Sequence, residues 1–178
     1  TARFLKKHKI PALYRVHDGP SEERLNNLRL FLGELGLQLG GGDKPTSGDY
    51  QQLLAQIADR PDANVIQMVM LRSLSQAVYS PEEAGHFGLG FPSYTHFTSP
   101  IRRYPDLIVH RAIKSRIHNP EVQKDVVSPK AHDPELAVYP YDYARMEQLG
   151  EHCSMTERRA DDATRDVMAW LKCEFLRD

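Results

Sequence analysis

The sequence predicts an α+β fold, mostly helical, with several helices packed around a few short strands and a long helix near the C-terminus. Three observations predict it. Apolar residues recur at steps of three and four in most of the chain. Only residues 13–17 and 86–91 carry strand character. From Tyr141 onward a single helical pattern runs on to Trp170 and beyond.

Taken in order, Leu13-Tyr14-Arg15-Val16-His17 reads as a short strand closed by the turn Asp18-Gly19-Pro20. Ser21 is placed to cap a helix. Leu25, Leu28, Phe31, Leu32 and Leu35 form its inner face, and Gly36 ends it. After a glycine-rich loop, Thr46 or Ser47 caps a second helix with Tyr50, Leu53, Leu54 and Ile57 inward. Pro61 opens a third, with Val65, Ile66, Val69 and Met70 inward, running to about Ala77. In 86–91, Phe87, Leu89 and Phe91 alternate with glycine, the pattern of a strand whose glycine face lies close to another group. Four prolines punctuate 119–140, which reads as a variable, exposed loop. In the last helix Leu149, Cys153, Thr156, Ala160, Ala163, Val167 and Trp170 make a heptad-like seam.

The 178 residues suffice for one core, and 40% hydrophobic with 26% charged residues is ordinary for a globular domain. No apolar run reaches the roughly 20 residues of a membrane span. The start of the chain holds neither a secretory signal nor an initiator Met, so the chain is expected to be one part of a longer protein. Cys153 and Cys173 share one predicted helix about 30 Å apart, whereas a disulfide needs Cα atoms within about 7 Å. Free thiols suit a cytoplasmic location.

Net charge is −1, but it is unevenly spread. Residues 1–16 hold five cationic side chains and no acid; residues 86–118 hold five against Asp106 alone. Two basic zones in an acidic body favour a local anion-attracting field.

The second zone contains the most informative string, Tyr94-Thr95-His96-Phe97-Thr98-Ser99-Pro100-Ile101-Arg102-Arg103-Tyr104-Pro105-Asp106-Leu107-Ile108-Val109-His110-Arg111. Ser99 before Pro100 marks a helical start. Pro105 has no N–H for the carbonyl of Ile101, so one turn over 99–104 should give way to a new helix. That helix has an apolar face of Ile108, Val109, Ala112, Ile113 and Ile117, and a polar face of His110, Arg111 and Lys114. Free N–H groups at a helix start attract anions, and guanidinium groups match phosphate oxygens. Tyr94, Phe97 and Tyr104 suit stacking on bases. The pattern points to a phosphodiester ligand.

This string, together with His86-Phe87-Gly88-Leu89 before it and His110-Arg111-Ala112-Ile113 at its end, resembles the signature of the ribonuclease II/ribonuclease R family, nearest its ribonuclease R branch. Segments 13–18, 71–79 and 152–173 are similar in the same order. The resemblance implies a 3′→5′ exoribonuclease that acts on the 3′ end of single-stranded RNA, uses Mg²⁺ and releases nucleoside 5′-monophosphates. It implies that Arg102 is the catalytic arginine at the scissile phosphate. Thr98, Ser99, Arg103, Tyr104, His110, Arg111 and Arg165 are the implied RNA contacts. The family's metal is held by an aspartate cluster earlier in the catalytic domain, for which residues 1–178 offer no counterpart; Asp161-Asp162 lies in a helix. The chain therefore reads as a single partial domain, the C-terminal half of the catalytic domain, expected to bind no metal and to be inactive by itself. It would need the N-terminal half and accessory RNA-binding domains as partners, and its exposed face could let it dimerise.

Two alternatives stand beside this reading: a non-catalytic module for single-stranded RNA, and a structural helical domain whose arginines are buried in ion pairs. Other signals are weak. Gly40-Gly41-Gly42-Asp43-Lys44-Pro45 lacks the Gly-Lys-Ser/Thr of a phosphate loop. The eight histidines show no metal-ligand spacing. Ser73 and Ser75 lie in no nucleophile elbow.

Overall fold

The computed structural model describes residues 1–118 and 139–177. Within them the order is α1 (Ala2–Lys7), β1 (Tyr14–Val16), α2 (Glu22–Glu34), α3 (Ser47–Ile57), α4 (Ala63–Ser73), β2 (Val78–Ser80), a 3₁₀ turn (Phe87–Leu89), α5 (Tyr104–Ile117) and α6 (Tyr143–Phe175). The fold is α+β and mostly helical, with a long C-terminal helix, as the periodicity predicts. The loop expected at 119–140 lies, apart from its last two residues, outside the described residues.

Helices α2, α3 and α4 form one core from Leu25, Leu28, Leu32, Tyr50, Leu53, Ile57, Ile66 and Met70. Burying each such aliphatic side chain contributes about 1.5–3 kcal/mol. Ser21 caps α2 by accepting the Arg24 N–H. Thr46, rather than Ser47, caps α3: its hydroxyl accepts the Asp49 N–H, and the Asp49 carboxylate accepts the Thr46 N–H at 2.7 Å. Two expectations need correction here. α4 stops at Ser73 because Leu74 turns to extended backbone, and the chain continues into β2 rather than to a longer helix. Leu54 and Val65 face outward. Three short helices meet along one stripe each, so the flanking apolar positions stay uncovered.

The second core surrounds the sheet. β1 and β2 pair antiparallel, Tyr14 with Ser80, Arg15 with Tyr79 and Val16 with Val78. The basic N-terminus, read only as a charge cluster, forms α1, whose Leu5 packs with Ile10, Ala12, Val109 and Ala112. The expected apolar face of α5 supplies Ile108, Val109 and Ala112.

Residues 86–91 do not form the expected strand. His86 makes single pairings with His17 and Phe91, and the chain then coils through the 3₁₀ turn. Gly90 reverses it at φ +65°, a conformation other residues rarely adopt. The His17 ring fixes this loop: its Nε2 donates to the Ser75 carbonyl at 2.7 Å, and its Nδ1 accepts the Gly88 N–H at 2.8 Å. Phe87 then packs edge-on against Tyr50 at 5.4 Å, joining the two cores.

α6 is 33 residues, about 50 Å at 1.5 Å per residue. Only its first half is packed, through the buried Met146, Gly150, Cys153 and Ser154 against β2 and α5. The seam expected through Val167 and Trp170 is solvent-exposed in the second half. Both cysteines are free, Cys153 buried and Cys173 exposed. No helix among the described residues is long and apolar enough to cross a membrane.

Gly150 marks the tightest approach of α6 to the sheet. A Cβ there would lie 2.7 Å from the Tyr79 carbonyl oxygen. Ser154, one turn on, accepts the Tyr79 N–H at 2.9 Å and donates to the Gly150 carbonyl at 2.7 Å. Gly150→Ala is therefore expected to destabilise the protein by about 1–3 kcal/mol, the scale of overpacking a rigid contact, as measured by urea unfolding.

Candidate nucleic-acid interface

The motif segment is held first by backbone. Residues 94–98 run extended beside β1, where Arg15 N–H donates to the Tyr94 carbonyl at 2.9 Å and Thr95 Oγ1 donates to the Leu13 carbonyl at 2.7 Å. At Ser99 the chain turns. The N–H groups of Arg102 and Arg103 both donate to the Ser99 carbonyl, at 3.2 and 3.0 Å. α5 then restarts at Tyr104 with Pro105 in its first turn, as the missing proline N–H requires.

Asp106 locks that turn. Its carboxylate is 0% exposed, and its Oδ1 accepts the Ser99 N–H at 2.8 Å and Arg103 Nη2 at 2.9 Å. The two neighbouring arginines therefore differ. Arg103 is turned inward, with 26% of its side chain exposed. Arg102 is exposed, and its side chain has neither ion pair nor hydrogen bond among the described residues.

The other expected RNA contacts divide by position. Thr98 is exposed beside the turn, while Ser99 is partly buried and used through its backbone. Tyr104 and Arg111 meet at one point: the Tyr141 hydroxyl lies 3.3 Å from the Tyr104 hydroxyl and accepts Arg111 Nη1 at 2.9 Å. His110 turns toward the motif, where its Nε2 donates to the Phe97 carbonyl at 2.9 Å and its ring stacks on Phe97 at 4.3 Å. Arg165 is not brought to this group. It pairs with Asp162 on the unpacked part of α6, roughly 18 Å along the helix from Cys153.

A second group behind the turn escaped the sequence reading. Arg15, whose side chain is 13% exposed, pairs with Glu157 of α6 at 2.6 Å and lies over the Tyr79 ring at 4.5 Å. The Tyr79 hydroxyl meets His96 Nδ1 at 2.9 Å. Burial pushes the Tyr79 hydroxyl up to about 12, so it keeps its proton beside His96. Burial, then the guanidinium groups of Arg103 and Arg15, hold the His96 imidazole down to about 4. The residues come from four separate stretches of chain, so no local spacing in the sequence marks them as a group.

With the geometry in view, comparison with known proteins is decisive. The family model described as RNB domain matches residues 1–119. The chain belongs to the RNB family. It is 54% identical over 177 residues to ribonuclease R of Escherichia coli strain K12, covering 99% of this chain and 21% of that protein. The chain thus spans about a fifth of the length of the curated relatives it matches. The apo form of Mycoplasma genitalium RNase R superposes with a TM-score of 0.79 at 30% identity, covering 97% of this chain and 25% of that one. The same enzyme in complex with ribose methylated single-stranded RNA gives 0.76 at 29% identity, covering 96% and 25%.

Among the described residues of this RNB chain, no three His, Cys, Asp or Glu side chains converge as a metal centre would need.

His96 gives this region a pH signature. Its folded pKa of about 4 lies below the ordinary 6.5, so the unfolded chain binds more protons in between. The stability it contributes is complete above about pH 6.5 and is lost as pH falls toward 4. Urea unfolding across this range should show that loss, and His96→Asn, which keeps an acceptor for Tyr79, should flatten it between pH 6.5 and 5, above most carboxylate titration.

Proposed function

We propose that this chain is the C-terminal half of the catalytic domain of a 3′→5′ exoribonuclease that hydrolyses RNA to nucleoside 5′-monophosphates. The observation that carries the reading is the contrast at the turn. Arg103 is neutralised by Asp106, while Arg102 is exposed without a partner among the described residues. A guanidinium held on a rigid turn and left uncompensated is suited to an external anion. The related enzyme described with ribose methylated single-stranded RNA supports RNA as that anion.

In this reading Arg102 donates to the phosphoryl oxygens at the scissile bond and stabilises the negative charge that builds there during hydrolysis. Because its turn is already folded, little reorganisation opposes this at the moment of reaction. Thr98, Tyr104 and Arg111 line the approach to the 3′-terminal nucleotides. Ser99, Arg103 and His110 hold the approach in shape, because their polar groups are engaged within the protein.

The described residues do not fit a resident Mg²⁺ ion, since no ligand cluster forms among them. Mg²⁺ in the intact enzyme belongs to residues elsewhere in the longer protein. The free thiols agree with a cytoplasmic setting.

In the full-length protein, Arg102→Ala is expected to lower turnover of single-stranded RNA roughly 10²–10³-fold, the scale for losing one preorganised charge-stabilising donor. Near-normal turnover would remove the catalytic role. The chain alone, incubated with Mg²⁺ and labelled RNA, is expected to release no nucleotide; sustained release would show that it carries a complete site. RNA affinity that survives Arg102→Ala, with unchanged turnover in the full-length protein, would instead favour the RNA-binding module.

A further inference from the structure

We infer that Asp106 is a positioning residue for the phosphate contact: by holding the Ser99 N–H and Arg103 on one oxygen, it fixes the turn that presents Arg102. The inference rests on the catalytic reading of Arg102.

The physical case begins with the cost of the arrangement. A carboxylate with no solvent contact is expensive, and a buried ion pair seldom stabilises a fold better than apolar side chains of the same volume. This pair is also incompletely satisfied. Asp106 Oδ2 and Arg103 Nε are both buried without a hydrogen-bond partner among the described residues. A side-on guanidinium–carboxylate fork would satisfy both atoms. Instead Oδ1 takes both donors, 2.8 Å from Ser99 N and 2.9 Å from Arg103 Nη2. The geometry thus favours tying the first residue of the turn to its last over making the strongest ion pair.

The tie has two consequences for Arg102. Ser99 is gripped on both sides of its Cα: its N–H by Asp106, its carbonyl by the N–H groups of Arg102 and Arg103. The backbone of Arg102 therefore cannot shift without breaking one of these bonds. Arg103, occupied by Asp106, is also kept from competing for the same phosphate. Asp106 reaches neither solvent nor any position open to substrate, so it acts only through the turn.

The test is a double-mutant cycle in the full-length protein, reading kcat and KM on single-stranded RNA. Asp106→Asn keeps an acceptor for the Ser99 N–H and loses the charge for Arg103. It is expected to lower kcat about 10- to 100-fold, with KM within about threefold, the split expected when transition-state contacts alone are lost. Asp106→Leu removes both contacts and should lower kcat further, giving a graded order of Asp, Asn, Leu. In an Arg102→Ala background, Asp106→Asn should change turnover by no more than about twofold, because both substitutions act through one guanidinium. If Asp106→Asn reduces turnover by the same factor with or without Arg102, or raises KM with kcat unchanged, the inference is overturned. If Arg102→Ala itself turns over normally, the catalytic reading fails first and is seen to fail separately. Should the Asn variant not fold, Asp106→Leu serves in the same cycle, since Arg103 is already partly exposed and can turn to solvent. Full turnover in that variant would equally overturn the inference.

Discussion

The Asp106 carboxylate lies where water cannot reach it, so its charge has to be compensated by the protein itself. Compensation comes from the Ser99 N–H and the Arg103 guanidinium, and both are drawn to the same oxygen. That requirement bends 99–103 into a closed turn against the start of α5. It also separates the fates of two adjacent arginines that a sequence cannot tell apart. One becomes part of the scaffold, and the other stays exposed, with neither ion pair nor hydrogen bond among the described residues.

Behind the turn, a second polar group carries the same logic into the body of the domain. Arg15 from β1 reaches Glu157 on α6 and covers Tyr79 on β2, which in turn holds His96. Sheet, long helix and motif segment are thereby fixed to one another through charged and aromatic contacts rather than through aliphatic packing alone. The close approach of α6 at Gly150 makes this reach possible. The five cations of 86–118 are used differently. Arg103 is paired with Asp106, Arg116 donates to the His8 carbonyl and Arg111 donates to Tyr141, while the side chains of Arg102 and Lys114 are exposed with neither ion pair nor hydrogen bond among the described residues.

The separate core of α2, α3 and α4 plays a supporting part. It meets the rest of the domain at the His17 ring and at Phe87, where one imidazole donates to Ser75 and accepts from Gly88. The chain is a fifth of the length of its ribonuclease R relatives, and the apolar residues along the second half of α6, Val167, Met168, Trp170, Leu171 and Phe175, are exposed. A fold of this family does not by itself assign chemistry.

The sequence by itself determined the helical periods of α2, α3, α5 and α6, the cap at Ser21, and the break that Pro105 imposes; it narrowed the cap of α3 to Thr46 or Ser47. These are local: each depends on residues within one or two turns of one another. The motif string was legible for the same reason, since its elements lie in eighteen consecutive residues. Tertiary structure decided the rest. Val78–Ser80 becomes a strand only because β1 is there to pair with it, and 86–91 fails to be one because His17 binds the Gly88 N–H and Gly90 reverses the chain. The burial of Asp106, the use of Arg103 and the meeting of Arg15 with Glu157, 142 positions apart, arise from packing between distant segments, and no local spacing encodes them.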